Sequence, residues 1–139
     1  MSARTKARKR ALDALYASEV RNQNALDLLK ETSVEVEDRQ NQEAIFDYAE
    51  MLLTGYLSNS DRIDNELKML ADGWTLERMP NVDLAILRIA AWEILYNDEV
   101  PNEVAISEAV ALAGEYSTED SPKFINGVLA RLSKGGAAL

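Results

Sequence analysis

The 139-residue sequence contains no cysteine and no histidine. The first absence removes disulfides, thiolate metal sites and thiol nucleophiles; the second removes the commonest general base, the commonest metal ligand and every Ser/His or Cys/His catalytic arrangement. Chemistry would have to run on carboxylates, lysine or tyrosine alone, and the reading is of a protein without catalytic residues, metal site or cofactor. Long apolar runs are missing as well. None approaches the roughly 20 residues of a membrane-spanning helix, and the basic N-terminus is not followed by the apolar stretch of a signal peptide. The expectation is a cytoplasmic protein with no membrane partner.

Hydrophobic residues make up 47% of the chain and charged residues 28%, so there is a core to build. The length fits one domain. Residues 3 to 21 read as one helix, with Ala11, Leu12, Leu15 and Tyr16 as its apolar stripe and no glycine or proline to interrupt it. Residues 22 to 40 hold a short apolar piece around Ala25 to Leu29, then an acidic, solvated loop through Glu31, Glu35, Glu37 and Asp38. A second long helix is expected from Gln42 to Leu57. Asn59-Ser60-Asp61 offers caps for a third, which runs to about Ala71 with Gly73 as its stop.

From Leu84 to Tyr96, 11 of 13 residues are apolar, so this helix should be buried on most sides at the centre of the protein. Arg88 and Glu93 interrupt it on different faces, each requiring an anchor on a neighbouring helix or a route to solvent. Pro101-Asn102 opens another helix, and Ser121-Pro122 reads as the cap and first position of the last, which runs to Gly135. Trp74 and Trp92 read as core. Strand signals are negligible, and the fold class is all-α: two packed helical subbundles, about 1–73 and 74–135, forming a single domain over 1–139.

The charge is unevenly distributed. The net charge is −9, yet Arg4, Lys6, Arg8, Lys9 and Arg10 fall within the first ten positions; taking their +5 from −9 leaves −14 for the remainder. Five cations at the positive end of a helix dipole are electrostatically unfavourable unless an anion answers them. A basic arm on an acidic body is a pattern of polyanion binding at one localised surface. Arg4 and Arg8 share a side with Ala11 and Leu15, and the reading is that the first two turns overhang the core with this face open. Tyr16 is open to three roles: stacking on an unpaired base, capping a protein interface, or packing in the core.

Three ordered motifs carry a resemblance. The segment Val82-Asp83-Leu84-Ala85-Ile86-Leu87-Arg88-Ile89-Ala90, continuing to Trp92-Glu93, resembles the central helix of NusB proteins, and Val100-Pro101-Asn102-Glu103-Val104-Ala105-Ile106 resembles the helix after it. Glu119-Asp120-Ser121-Pro122-Lys123-Phe124-Ile125-Asn126-Gly127 is similar to the C-terminal signature of that family, and Ala7-Arg8-Lys9-Arg10-Ala11-Leu12 to its arginine-rich first helix. Thr5 interrupts that basic run, and residues 22 to 70 match weakly.

The resemblance implies a transcription antitermination factor. Such a protein binds single-stranded boxA RNA of ribosomal RNA operons together with the ribosomal protein NusE, within the transcription elongation complex. It also implies RNA contacts at Arg4, Lys6, Arg8, Lys9, Arg10, Lys123 and Phe124, and a partner-facing set of Tyr16, Glu77 and Asp83, while leaving a homodimer open. Two rivals stand beside this reading. One is a protein-only adaptor whose basic helix docks an acidic partner. The other is the detached RNA-binding domain of a ribosomal RNA cytosine methyltransferase, whose α/β cofactor domain and catalytic cysteine have no counterpart here.

Overall fold

Helix α1 (Ala3–Arg21) begins where the Ser2 hydroxyl accepts the Thr5 amide at 3.1 Å. It ends at Asn22, whose φ of 55° turns the chain into the left-handed region while its amide caps the Ser18 carbonyl. The computed structural model describes residues 2–35, 39–71 and 73–135. Six further α-helices follow among them: α2 (Ala25–Glu35), α3 (Arg39–Ser58), α4 (Ser60–Leu70), α5 (Asn81–Tyr96), α6 (Asn102–Tyr116) and α7 (Ser121–Ser133), with a 3-10 turn at Leu76–Arg78. No strand occurs among the described residues, and the fold is all-α.

The acidic loop expected after Leu29 is instead the continuation of α2, because the Asn24 side chain caps the Leu26 and Asp27 amides and the helix runs unbroken through Glu31 to Glu35. Glu37 and Asp38 of that expectation lie outside the described residues. At Asn59 the side chain donates back to the Gly55 carbonyl at 2.8 Å and so does not cap α4. Gly73, at φ 85°, supplies the left-handed turn beyond α4 that other residues take only with strain.

Helix α5 packs on α1, α3, α4, α6 and α7, which is why it is apolar nearly all round. Helices α1, α2 and α3 pack mutually, as do α5, α6 and α7; α4 lies against α3, α5 and α7. One continuous core runs through all of them, from Ala7 and Leu15 on α1 through Leu52, Leu53 and Leu67 to Leu87, Ile125 and Leu129. At Gly55 α3 and α5 approach closely, since a methyl group there would lie 2.2 Å from the Trp92 indole. Trp92 is in the core as expected, but Trp74 is not. It lies outside the helices, in the link between α4 and the 3-10 turn, and stands 50% exposed.

Candidate nucleic-acid interface

The first two turns of α1 divide their cations between two directions. Arg8 points inward and is 3% exposed. Its Nε and Nη2 each donate to a different oxygen of Glu93 on α5 at 2.9 Å, and Nη1 reaches Glu108 on α6 at 3.2 Å. The expectation of an open face at Arg8 is therefore corrected. A guanidinium tolerates burial where its fork meets a carboxylate edge-on, and α5 and α6 supply two carboxylates.

Burial by itself would lower the Arg8 pKa; the hydrogen bonds and negative charge of Glu93 outweigh it and leave the pKa raised. The Tyr48 hydroxyl donates to the same Glu93 carboxylate and accepts from Asn97 at 3.0 Å. Burial, and then Glu93, push the Tyr48 pKa well above that of a free tyrosine, so the hydroxyl keeps its proton as a donor. No buried side-chain polar atom is left unsatisfied among the described residues.

Arg88 behaves in the same way. It donates to Asp64 on α4 and Glu19 on α1 at 3.0–3.1 Å. Both charges that interrupt the apolar helix thus have the anchors on neighbouring helices that their positions required.

Lys6, Lys9 and Arg10 face outward and line a groove of about 460 Å3 between α1, α3 and α6. Lys9 holds Asp13 one turn on at 2.6 Å, and its ammonium sits 4.5 Å from the centre of the Tyr116 ring. Arg10 lies over Phe46 at 5.2 Å. Lys6 is exposed and has no ion pair among the described residues. Of the three carboxylates lining the groove, Asp13 is held by Lys9, Glu108 by Arg8 and Thr5, and Glu115 is exposed. Arg4 is at the edge, paired with Glu99 at 3.1 Å and over Tyr48 at 5.0 Å, with 43% of its side chain open. Tyr116, 43% exposed, was missed in the sequence because it ends α6 at a position that periodicity does not mark as inward or outward.

Of the expected contacts at the start of α7, Phe124 lines a second recess, of about 440 Å3, together with Trp74, Met79, Pro80, Asp83, Thr118, Asp120 and Ser121. Lys123 is exposed beside it and Phe124 is half-buried against the core. Asp83 belongs to this recess and is 3% exposed, accepting hydrogen bonds from Ser117 and Ser121. Its expected outward role is corrected: the carboxylate ties α5 to the α6–α7 turn. Ser121 is likewise the first residue of α7 and spends its hydroxyl on Asp83 and Thr118, while Asp120 is the cap residue. Of the other expected partner-facing residues, Tyr16 is 41% exposed on α1, with Val20 one turn on at 60%, and Glu77 is exposed in the 3-10 turn. The two recesses share no lining residue, but Tyr116 of the first and Thr118 of the second are two positions apart in the α6–α7 turn.

The sequence matches the model of the NusB family over residues 5–134. The transcription antitermination protein NusB of Leifsonia xyli subsp. xyli is 50% identical over 137 residues, covering 96% of this chain and 93% of its own. Among solved structures, NusB of T. maritima is similar with a TM-score of 0.86 at 32% identity, over 99% of this chain and 94% of that one. A crystal structure of the antitermination factors NusB and NusE in complex with dsRNA gives 0.83 at 25% identity, over 97% and 98%. Among the described residues no helix is long and apolar enough to cross a membrane.

Proposed function

This chain belongs to the NusB family, and from that premise we propose that it is a transcription antitermination factor that binds single-stranded boxA RNA of ribosomal RNA operon leaders, jointly with the ribosomal protein NusE, within the elongation complex. The observation that carries the reading is the groove in which Lys6, Lys9 and Arg10 turn outward from a protein otherwise strongly acidic. An RNA strand in the groove meets Lys6 and Arg10. Of the groove's carboxylates, Asp13 and Glu108 are already answered by Lys9, Arg8 and Thr5 and only Glu115 is left open, while the acidic remainder of the surface repels the strand. The relative solved with NusE and dsRNA supports an RNA and a protein partner together.

The proposed contacts are Lys6, Lys9 and Arg10, with Arg4 at the edge and Lys123 and Phe124 at the start of α7. Arg8 serves from within by holding α1 against α5 and α6. Tyr16 and Glu77 are the open candidates for NusE. A basic ribosomal protein laid against the acidic body would relieve the repulsion that limits RNA binding by this chain alone.

The test is affinity for a boxA-like single strand and a scrambled control, with and without NusE, across a salt series. Lys6→Ala and Arg10→Ala should each weaken binding and flatten the salt slope by roughly 0.7 per lost phosphate contact, with the fold retained. Equal affinity for boxA and scrambled strands in the presence of NusE would refute the boxA reading. Wild-type salt slopes in both variants would refute the groove as the RNA site.

A further inference from the structure

The recess at the start of α7 has a feature that packing does not account for. A tryptophan side chain is among the largest apolar contributions a small core can use, yet Trp74 is half-exposed. Its ring centre lies 6.3 Å from that of Phe124, with 56° between the planes. Met79 and Pro80 complete an apolar wall, and the recess, about 440 Å3, is of small-ligand size.

We propose that this recess is a stacking site for one unpaired nucleobase, with the Trp74 indole as its platform. The inference rests on the RNA-binding reading above and deepens it by naming a residue that the basic groove does not include. At 56° the two rings cannot sandwich a base between parallel faces. A base lies on the indole and meets Phe124 at an angle, in the edge-to-face arrangement that aromatic groups favour.

Among the described residues, the recess itself is lined by two carboxylates, Asp83 and Asp120, and by no cation; its continuity with the basic groove, through the α6–α7 turn, is what selects a nucleotide over an apolar side chain of a protein. Lys123 precedes Phe124, is exposed, and is available to the phosphate attached to a stacked base. The α6–α7 turn joins this recess to the groove holding Lys6, Lys9 and Arg10, so one strand can run from cations to platform. Asp120 lines the recess and Glu119 is exposed next to it, so a phosphate attached to the stacked base has to lie on the Lys123 side, away from both carboxylates. Stacking of this kind tolerates any base, so the recess adds affinity for unpaired over paired RNA.

Trp92 is buried and Trp74 is open, so the emission of the full chain that responds to a ligand at this recess is that of Trp74. Titration with a short unstructured single-stranded RNA should quench that emission, and the same sequence annealed into a duplex should quench it far less. Trp74→Ala should lower single-strand affinity about tenfold with an unchanged salt slope, and Trp74→Phe should retain most of it. Thermal melts establish that both variants are folded. Wild-type RNA affinity in folded Trp74→Ala would overturn the platform while leaving the basic groove standing, and if NusE affinity fell in that variant the recess would be a protein contact instead. Failure of the wild-type chain to bind any single strand, with or without NusE, would overturn the RNA reading itself and this inference with it.

Discussion

Arg8 and Glu93, 85 positions apart, form a buried two-armed ion pair with both contacts at 2.9 Å, and it joins the basic end of α1 to the centre of α5. Their side chains are 4% and 1% exposed. The pair orients the helix whose other cations face the groove, so it supports the RNA surface without belonging to it.

Removal of either member should therefore register as lost stability. Arg8→Ala leaves the Glu93 carboxylate and Glu108 without their cation and should cost about 3–5 kcal/mol. Chemical denaturation reads this directly. Arg8→Ala with the stability of the wild type would show that the pair does not hold α1. RNA-binding experiments with this variant need that fold control, which Lys6→Ala and Arg10→Ala do not share.

The contact of Gly55 with Trp92 makes a second prediction. A methyl group at Gly55 would overlap the indole at 2.2 Å, so Gly55→Ala should destabilise the protein by about 1–3 kcal/mol although alanine is the better helix former. Gly127, on α7, has open space at the same position. Gly127→Ala should be neutral or stabilising by up to about 1 kcal/mol. The melting temperature should fall in Gly55→Ala and stay level or rise in Gly127→Ala.

Asp83 and Glu77 flank the start of α5 and separate in the same way. Asp83→Lys places an ammonium where Ser117 and Ser121 donate to a carboxylate, and should cost about 3–5 kcal/mol whatever it does to NusE binding. Glu77→Lys changes an exposed residue and should stay within about 0.5 kcal/mol of the wild type. Calorimetry with NusE then interprets Glu77→Lys alone as an interface effect; unchanged affinity would remove Glu77 from the proposed contact.

Tyr48 makes stability depend on alkaline pH. Its folded-state pKa is raised, by burial first and then by Glu93, above the unfolded value of about 10. The unfolded chain therefore loses the phenolic proton first as pH climbs. The contribution of the neutral hydroxyl is complete below about pH 10 and declines above it. Denaturation at a series of alkaline pH values should show the wild type losing stability more steeply than Tyr48→Phe. Parallel declines would mean that the phenol is not the linked group.

Much of this protein was legible along the chain. Six of the seven helices among the described residues come from hydrophobic periodicity and from caps, which are local: Ala3–Arg21 is where an unbroken apolar stripe places it, and Leu84 to Tyr96 is central because it is apolar nearly all round. Helix α2 reads as a loop beyond Leu29, because its acidic second half carries no apolar stripe. The N-terminal excess of positive charge and the motifs that carry the family are likewise properties of sequence order. What the tertiary structure alone decided is the direction in which like residues act. Arg8 and Lys6 belong to the same basic run, but a carboxylate far along the chain draws one inward and leaves the other in water. Trp74 and Trp92 are the same residue type, yet only Trp92 finds a glycine on the facing helix that makes room for an indole. Periodicity specifies an angle about a helix axis. Whether that angle meets solvent, a carboxylate or a packed ring depends on which helix lies opposite, and that is set when the helices pack.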